Sequence, residues 1–240
     1  MSVKANYQPN GMLRYFESTT HETLQVIAPV FFQDDFLGKA IDTTYNWTAL
    51  DTSAAGSTTP ALVADAPGGV ISLPLDNTNE VQLSGIYGGD QRNFTLNRSL
   101  GFEARFKFSV LPTGSVVACV GLAGDHNAAV NTVAESIWFR ADGSGALTVE
   151  TDDTSNETSQ VATGVTVVAD EWVVARIECY DTADVRFYLN GNRVASGTTF
   201  NMSTVAALAL QPVARIGKES GATTVGTLQV DYIRVWQNRG

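Results

Sequence analysis

Cysteine is nearly absent from this sequence, which contains only Cys119 and Cys179. Two cysteines cannot build the disulfide framework of a small secreted domain, and neither has the closely spaced Cys or His neighbours of a zinc site. Both lie in apolar runs rich in β-forming residues, so we expect them to pack as small buried hydrophobic side chains. This cysteine usage fits synthesis in a reducing compartment.

Histidine and positive charge are also scarce. The two histidines, His21 and His126, lie far apart, and no nucleophile pattern accompanies either of them. The chain has 15 Lys and Arg against 25 Asp and Glu, a formal net charge of -10, which disfavours nucleic acids and anionic membranes as partners. We expect no membrane span, because no long uncharged apolar run occurs, and no secretory signal in the first residues.

Short apolar runs separated by Gly, Asn, Asp and Ser fill the sequence from Phe31 onward. Between Gly101 and Val110 apolar and polar residues alternate, which predicts a strand with one buried and one solvated face. A similar run covers Trp172–Cys179, and Asn190-Gly191 between two apolar segments predicts a tight hairpin. Residues 31–240 are therefore predicted to form one all-β domain, a two-sheet antiparallel sandwich.

Residues 1–30 show neither helical nor strand periodicity and are predicted to form an extended N-terminal arm. An extended segment can add a strand to the sheet edge of a neighbour, so its apolar residues are candidate partner contacts. The alternatives are a frayed tail and an extra strand of the same subunit. The candidate contact residues are Tyr7, Leu13, Tyr15, Phe16, Leu24 and Ile27.

Three stretches together resemble the concanavalin A-like lectin and glucanase superfamily, in particular its laminarinase-like and LamG-like members. They are Phe32–Phe36 with Asp42–Trp47, Asp170–Glu178 continuing to Gly191, and Val230–Trp236. The resemblance implies a jelly roll of two antiparallel sheets, one of them often concave and used for sugar binding. It also implies a possible structural calcium held by the closing-strand residue Asp231, with Asp34 or Asp35 approaching from the first strand.

Enzymes of this superfamily that retain anomeric configuration carry Glu-x-Asp-x-x-Glu on one strand. The nearest match begins at Glu150-Thr151-Asp152, but Ser155 stands at the second glutamate position. Glu157 is an odd number of residues from Glu150, so on a regular strand it would point to the opposite face. We therefore predict a protein without enzymatic activity.

The arm, the acidic domain and the missing catalytic motif predict a virion structural protein of the capsid decoration or cement type. Phe16–Thr20 and the domain behind it resemble structural proteins of tailed bacteriophages. Such a protein would be made in the host cytoplasm and located on the capsid surface, as a homo-oligomer bound to the major capsid protein or another virion protein.

The alternative is a carbohydrate-binding module that recognises, for example, a host-surface glycan through Trp138 and Tyr188 on the concave face. Core packing is the competing interpretation of these two residues, as it is of Trp47 and Trp236. A divergent, inactive glycosidase is the third possibility.

Overall fold

The computed structural model describes residues 2–8, 12–205 and 207–239, which form the predicted all-β sandwich. Regular helix within these residues is limited to two 3-10 turns, Leu96–Arg98 and Val130–Thr132. The strands of the described residues are β1 Val3–Tyr7, β2 Leu13–Glu17, β3 Thr23–Ile27, β4 Val30–Asp34, β5 Thr48–Asp51, β6 Ala61–Leu62, β7 Ile71–Leu75, β8 Glu80–Tyr87, β9 Phe94–Thr95, β10 Leu100–Val110, β11 Val116–Ala123, β12 Glu135–Asp142, β13 Ala146–Asp153, β14 Glu157–Thr166, β15 Val173–Cys179, β16 Arg186–Leu189, β17 Asn192–Val194, β18 Ala209–Ala222 and β19 Gly226–Gln237.

Two large antiparallel sheets make up the sandwich. Sheet I has the order β17-β16-β15-β10-β19-β7-β6, and β4 also pairs with β19. Sheet II has the order β14-β13-β12-β11-β18-β8-β5, and β9 also pairs with β18. Their inner faces share one hydrophobic core, in which Phe139 of sheet II meets Phe187 of sheet I edge to face, with ring centroids 5.4 Å apart.

The alternating pattern of β10 predicts its inward-facing residues correctly, but not the environment of its outward-facing residues. Phe102, Phe106 and Phe108 lie in the core, as the pattern requires. On the outer side, however, Glu103 is fully buried instead of solvated, with 0% of its surface exposed. A second layer must therefore cover this face of sheet I.

That layer is the N-terminal segment, which is not an extended arm. Strands β1, β2 and β3 form a separate three-stranded antiparallel sheet in the order β1-β2-β3, here called the N-terminal sheet. A β-bulge at Tyr15/Phe16 breaks the alternation that would have revealed the strands. Of the alternatives left open by the sequence, strands within the same subunit are the ones observed.

The predicted hairpin is confirmed at Asn190-Gly191, which joins β16 to β17 with φ angles of 47° and 79°. A Cβ atom at Gly191 would lie 2.3 Å from the His21 ring, so the turn needs glycine both for its backbone and for contact with the N-terminal sheet.

Cys119 and Cys179 are both free and buried, as expected. Burial raises the pKa of the Cys119 thiol to about 12, so this side chain behaves as a hydrophobic group at neutral pH. No helix among the described residues is long and apolar enough to cross a membrane.

Candidate functional site

The N-terminal sheet is fastened to sheet I through a buried carboxylate. The backbone N–H of Thr23 donates to Glu103 Oε1 over 2.7 Å, and the Thr23 hydroxyl donates to Glu103 Oε2. The Tyr232 hydroxyl donates to Oε1 from the sandwich side over 3.0 Å. A buried carboxylate is stable only when several donors satisfy it. These hydrogen bonds therefore hold strands β3, β10 and β19 together at the Glu103 carboxylate.

Three guanidinium groups surround the same carboxylate. Arg14 of β2, Arg176 of β15 and Arg234 of β19 each lie 3.9 to 4.0 Å from a Glu103 oxygen. Burial, and next the Arg14 charge, lower the pKa of Arg176 to about 10. We call Glu103, Thr23 and these three arginines the Glu103 cluster. Glu103 is the carboxylate that all three guanidinium groups share and it offsets their mutual repulsion in a desolvated interface; Arg176 also pairs with Glu178, and Arg234 with Asp35 at 3.5 Å.

Apolar contacts seal the interface around the Glu103 cluster. Met12 and Val26 of the N-terminal sheet form a buried cluster with Trp236 of β19. Phe16 stacks on His21 with ring centroids 6.2 Å apart, and the His21 ring contacts Gly191. Phe16, which was predicted to contact a partner, therefore packs beside the docked turn of its own chain.

The outward face of the N-terminal sheet presents most of the other predicted partner contacts. Cross-strand pairing places Tyr7 opposite Leu13 and Leu13 opposite Ile27, so these three residues form one apolar row. Tyr15 lies two residues from Leu13 on the same face. Tyr7 is 76% exposed and Ile27 57% exposed, whereas Leu13 and Tyr15 are half-buried. Leu24 is also exposed, beside the β-bulge.

Trp138 and Tyr188, the predicted sugar platforms, do not share a surface. Trp138 points to the outer side of sheet II and Tyr188 to the outer side of sheet I, where it stacks on Arg176 at 4.1 Å. Trp138 is only 1% exposed, so no sugar ring can stack on it in this conformation. The core-packing interpretation is confirmed for Trp138, and also for Trp47 and Trp236.

A loop, residues 124–134, covers the outer face of sheet II above Trp138. Arg215 donates to the carbonyl oxygens of Asn127 and Ala128 over 2.6 and 2.5 Å, and Gln211 donates to the carbonyl of Gly124 over 2.6 Å. Side chains from the loop, Val130 and Val133, pack with Cys119, Trp138 and Val213 of the sheet. This part of the face is therefore packed like a second, smaller core.

The acidic residues of the incomplete catalytic motif follow a different path from the one expected. The chain reverses after β13, so Glu157 belongs to β14 and lies directly opposite Asp152. Cross-strand partners share a face, and Glu157 therefore lies on the same side as Glu150 and Asp152, contrary to the prediction. Glu150 pairs with Arg140 at 3.3 Å; burial raises the pKa of Glu150, and the Arg140 charge opposes that rise.

The carboxylates predicted to hold calcium are occupied by protein groups. Asp34 accepts hydrogen bonds from the backbone N–H of Phe36 and from the Trp47 indole, both over 2.7 Å. Asp231 forms an ion pair with Arg105, whose charge would repel a cation. Within the part of the chain that the structure describes, no group of three His, Cys, Asp or Glu side chains could hold a metal. Asp34 and Asp231 therefore both have partners within the protein, and the calcium site stays a prediction.

The two facing antiparallel sheets define a jelly-roll sandwich. Residues 84–239 match the family Laminin_G_3, described as concanavalin A-like lectin/glucanases superfamily. Because the match covers more than half of the chain, the protein belongs to this superfamily, as the sequence resemblance implied. No curated protein matches the chain.

Solved structures with a similar fold share little sequence with this chain. A pseudo β-1,3-glucanase and immunostimulatory antigen of Mycobacterium tuberculosis is 14% identical, with 87% of this chain and 98% of that chain covered and a TM-score of 0.59. The laminarinase catalytic domain of Thermotoga petrophila is 10% identical, with 87% and 97% covered and a TM-score of 0.57. A protein of unknown function from Shewanella oneidensis is 13% identical, with 85% and 84% covered and a TM-score of 0.57. At these identities the similarity establishes the fold alone.

Proposed function

We propose that this chain is a non-enzymatic structural protein of a virus particle, of the capsid decoration or cement type, and that its N-terminal sheet attaches it to the major capsid protein or another virion protein. The observation that supports this best is the apolar outward face of that sheet. Exposed apolar side chains grouped on one face, rather than scattered singly, favour a protein contact.

The attachment needs a firm link between the contact surface and the displayed domain. The Glu103 cluster supplies it, because it joins two strands of the N-terminal sheet to the central strands β10, β15 and β19 of sheet I. A force on the attached sheet would therefore pass directly into the sandwich. A loosely tethered tail would not transmit load in this way.

The covered outer face of sheet II supports a role without catalysis. Glu150, the first carboxylate of the incomplete motif, is buried and paired with Arg140, and loop 124–134 packs over Trp138 beside it. A glycosidase needs two carboxylates that reach a bound sugar. We accordingly expect no hydrolysis of β-glucans by the purified protein; release of reducing sugar above the level of a heat-denatured sample would contradict this.

Strand β1 supports a symmetric oligomer. It is an edge strand of the N-terminal sheet, and all five of its residues are exposed. Antiparallel pairing with a second copy, centred on Ala5, would place Val3 opposite Tyr7 and Lys4 opposite Asn6, so no like charges would face each other. Sedimentation equilibrium should detect the oligomer, whereas a monomer at high concentration would overturn this part of the proposal.

Attachment can be tested with purified capsids that lack the protein. Tyr7→Asp and Ile27→Asp place a charge on the outward face and should reduce co-sedimentation at least about tenfold, because burying an unpaired carboxylate is costly. Val168→Asp is the matched control, since Val168 is 55% exposed on the sandwich and should tolerate the change. Unchanged attachment of both N-terminal variants, or equal loss in the control, would overturn the proposal.

A further inference from the structure

Hydrogen bonds from sheet II fix the first half of loop 124–134. Gln211 and Arg215 donate to three carbonyl groups of the loop, and the backbone N–H of His126 donates to Asp90 over 2.7 Å. Gln211 also donates to Asp90 over 2.9 Å, so the loop and the turn after β8 belong to one hydrogen-bond network. His126 therefore lies among the contacts that keep the loop closed over the outer face of sheet II.

The His126 ring is half-buried between the loop and the sheet. It packs on the Tyr87 ring, with ring centroids 4.8 Å apart. Histidine is the side chain whose ordinary pKa places its change of charge near neutral pH. Burial, and next the Arg215 charge, lower the pKa of His126 below its ordinary value of 6.5, whereas the Asp90 charge opposes this shift. The closed loop therefore favours the neutral form of His126.

The other charged groups near the start of the loop are better solvated than Arg215. Asp125 pairs with Arg92 at 3.2 Å, and both side chains are exposed. The Glu135 carboxylate lies beside Gly124, in the space that a Cβ atom at that glycine would need. Water screens exposed charges, whereas Arg215 is buried, with only 3% of its surface exposed. A protonated His126 would therefore meet the Arg215 charge with little screening.

The closed position of the loop has a cost beneath it. Trp138 Nε1 is buried and has no hydrogen-bond partner among the described residues, and Trp138 lines the same cleft as His126. A buried donor without an acceptor destabilises the closed position, and water satisfies that donor when the loop lifts. The packing of Val130 and Val133 on Cys119 and Trp138 opposes lifting. One added charge can shift an equilibrium between two such opposed positions.

We propose that loop 124–134 is a pH-sensitive cover, which closes over the outer face of sheet II while His126 is neutral and lifts when His126 takes up a proton beside Arg215. The open loop binds this proton more readily than the closed loop. Closure is therefore complete well above pH 6.5 and is lost as the pH falls from 6.5 toward the lower pKa of the closed form. This device lies on a different face from the N-terminal sheet, so it does not depend on the attachment proposed above.

The two cysteines of the chain provide the test. Cys119 is buried beneath the loop, where it packs with Val130 and Val133, whereas Cys179 is buried in the core between the two sheets. Dithiodipyridine reacts with accessible thiols in mildly acidic and in neutral solution. Dividing each labelling rate by that of the urea-unfolded chain at the same pH removes the pH dependence of the thiol itself, and peptide mapping distinguishes the two cysteines.

We expect Cys119 to react about threefold to tenfold faster at about pH 5.5 than at about pH 7.5, because a histidine of ordinary pKa in the open loop is mostly protonated at the lower pH. Cys179 should stay protected at both pH values. In His126→Phe, which keeps a ring on Tyr87 but takes up no proton, the Cys119 rate should not change with pH. His21→Phe is the matched control, because His21 packs in the N-terminal sheet, and it should keep the wild-type acceleration.

Several results would each overturn the inference. An acceleration of less than about threefold in the wild type would mean that the loop does not respond to this proton. Equal acceleration of Cys119 and Cys179 would mean that the whole sandwich opens. Burial raises the pKa of Glu150 on the same face, so Glu150→Gln is measured as well. Acceleration that persists in His126→Phe, or that disappears in Glu150→Gln but not in His126→Phe, would show that His126 is not the switch.

Discussion

Replacing Glu103 with glutamine should release the N-terminal sheet while the sandwich stays folded. The substitution preserves the shape of the side chain but removes its charge. Glu103 is fully buried at the interface and accepts hydrogen bonds from Thr23 and Tyr232. The amide cannot accept at both of its terminal atoms, and three arginines lose their common counter-charge.

The size of the effect on sheet opening follows from the buried arginines that remain when the Glu103 charge is removed. Removing one partner of a buried ionic group typically costs about 3–5 kcal/mol, because the remaining charges stay desolvated. Arg14 Nε and Arg234 Nε are already without hydrogen-bond partners among the described residues, so they provide no reserve of compensating contacts. We therefore expect the free energy of opening the N-terminal sheet to fall by about 3–5 kcal/mol, which multiplies its open fraction roughly 150- to 5,000-fold.

Native-state hydrogen exchange measures this opening directly. Amides of β2 and β3 should exchange faster in Glu103→Gln by that factor, whereas amides of β11 and β12 in sheet II should keep their wild-type rates. Thr23→Val, which removes one donor but leaves the carboxylate among its arginines, should have a smaller effect in the same direction.

Two results would refute the reasoning. Equal protection of β2 and β3 in wild type and Glu103→Gln would mean that the apolar contacts of Met12, Val26 and Trp236 hold the sheet without the Glu103 cluster. Uniform loss of protection across both sheets would mean that the N-terminal sheet and the sandwich unfold as one unit.

Four further outcomes are expected. Lys218 is fully buried and donates to four backbone carbonyl groups. Lys218→Met leaves these carbonyl groups without their donor and should lower the free energy of unfolding by about 3–5 kcal/mol in a urea titration. A loss below about 1 kcal/mol would contradict the stabilising role of this lysine. Hydrogen bonds from backbone N–H groups, that of Thr20 first, lower the pKa of Glu17 to about 2, so the stability that Glu17 contributes is complete above pH 4.5 and is lost as the pH falls toward 2. The difference in melting temperature between wild type and Glu17→Gln should therefore shrink between pH 4.5 and pH 2. A difference that stays constant over this range would argue against the prediction. Gly191→Ala should cost about 1–2 kcal/mol in the same urea assay, because its φ is positive and its Cβ would meet a histidine ring, whereas Gly197→Ala should be nearly neutral. Treatment with EDTA should leave the melting temperature unchanged, since Asp231 is paired with arginine; a decrease that calcium reverses would restore the metal site.

The sandwich could be predicted from the sequence because local residue patterns are enough to identify its strands and turns. Alternation in Gly101–Val110 and the Asn190-Gly191 turn depend only on neighbouring residues, and both are confirmed. The burial of Glu103 could not be read in the same way, since it depends on a layer more than seventy residues earlier in the chain. Alternation identified the outer face correctly but could not say whether water or protein covers it.

The reversal after β13 shows a related limit. Counting residues from Glu150 placed Glu157 on the opposite face, which would be correct on one continuous strand. Asp153 instead accepts the backbone N–H groups of Ser155 and Asn156 and caps a turn there. Parity along a sequence fixes the face only as long as the strand continues, and an Asp-x-Ser-Asn segment is itself a turn signal.

The sequence identifies one of the candidate surfaces and misplaces the other, because local patterns do not show which side chains the fold covers. Tyr7, Leu13 and Ile27 stand out in the sequence as apolar residues in a polar segment, and the structure gathers them into one row although the segment is folded. Trp138 stands out in the sequence by residue type alone, and residue type does not distinguish a sugar-binding platform from a core side chain.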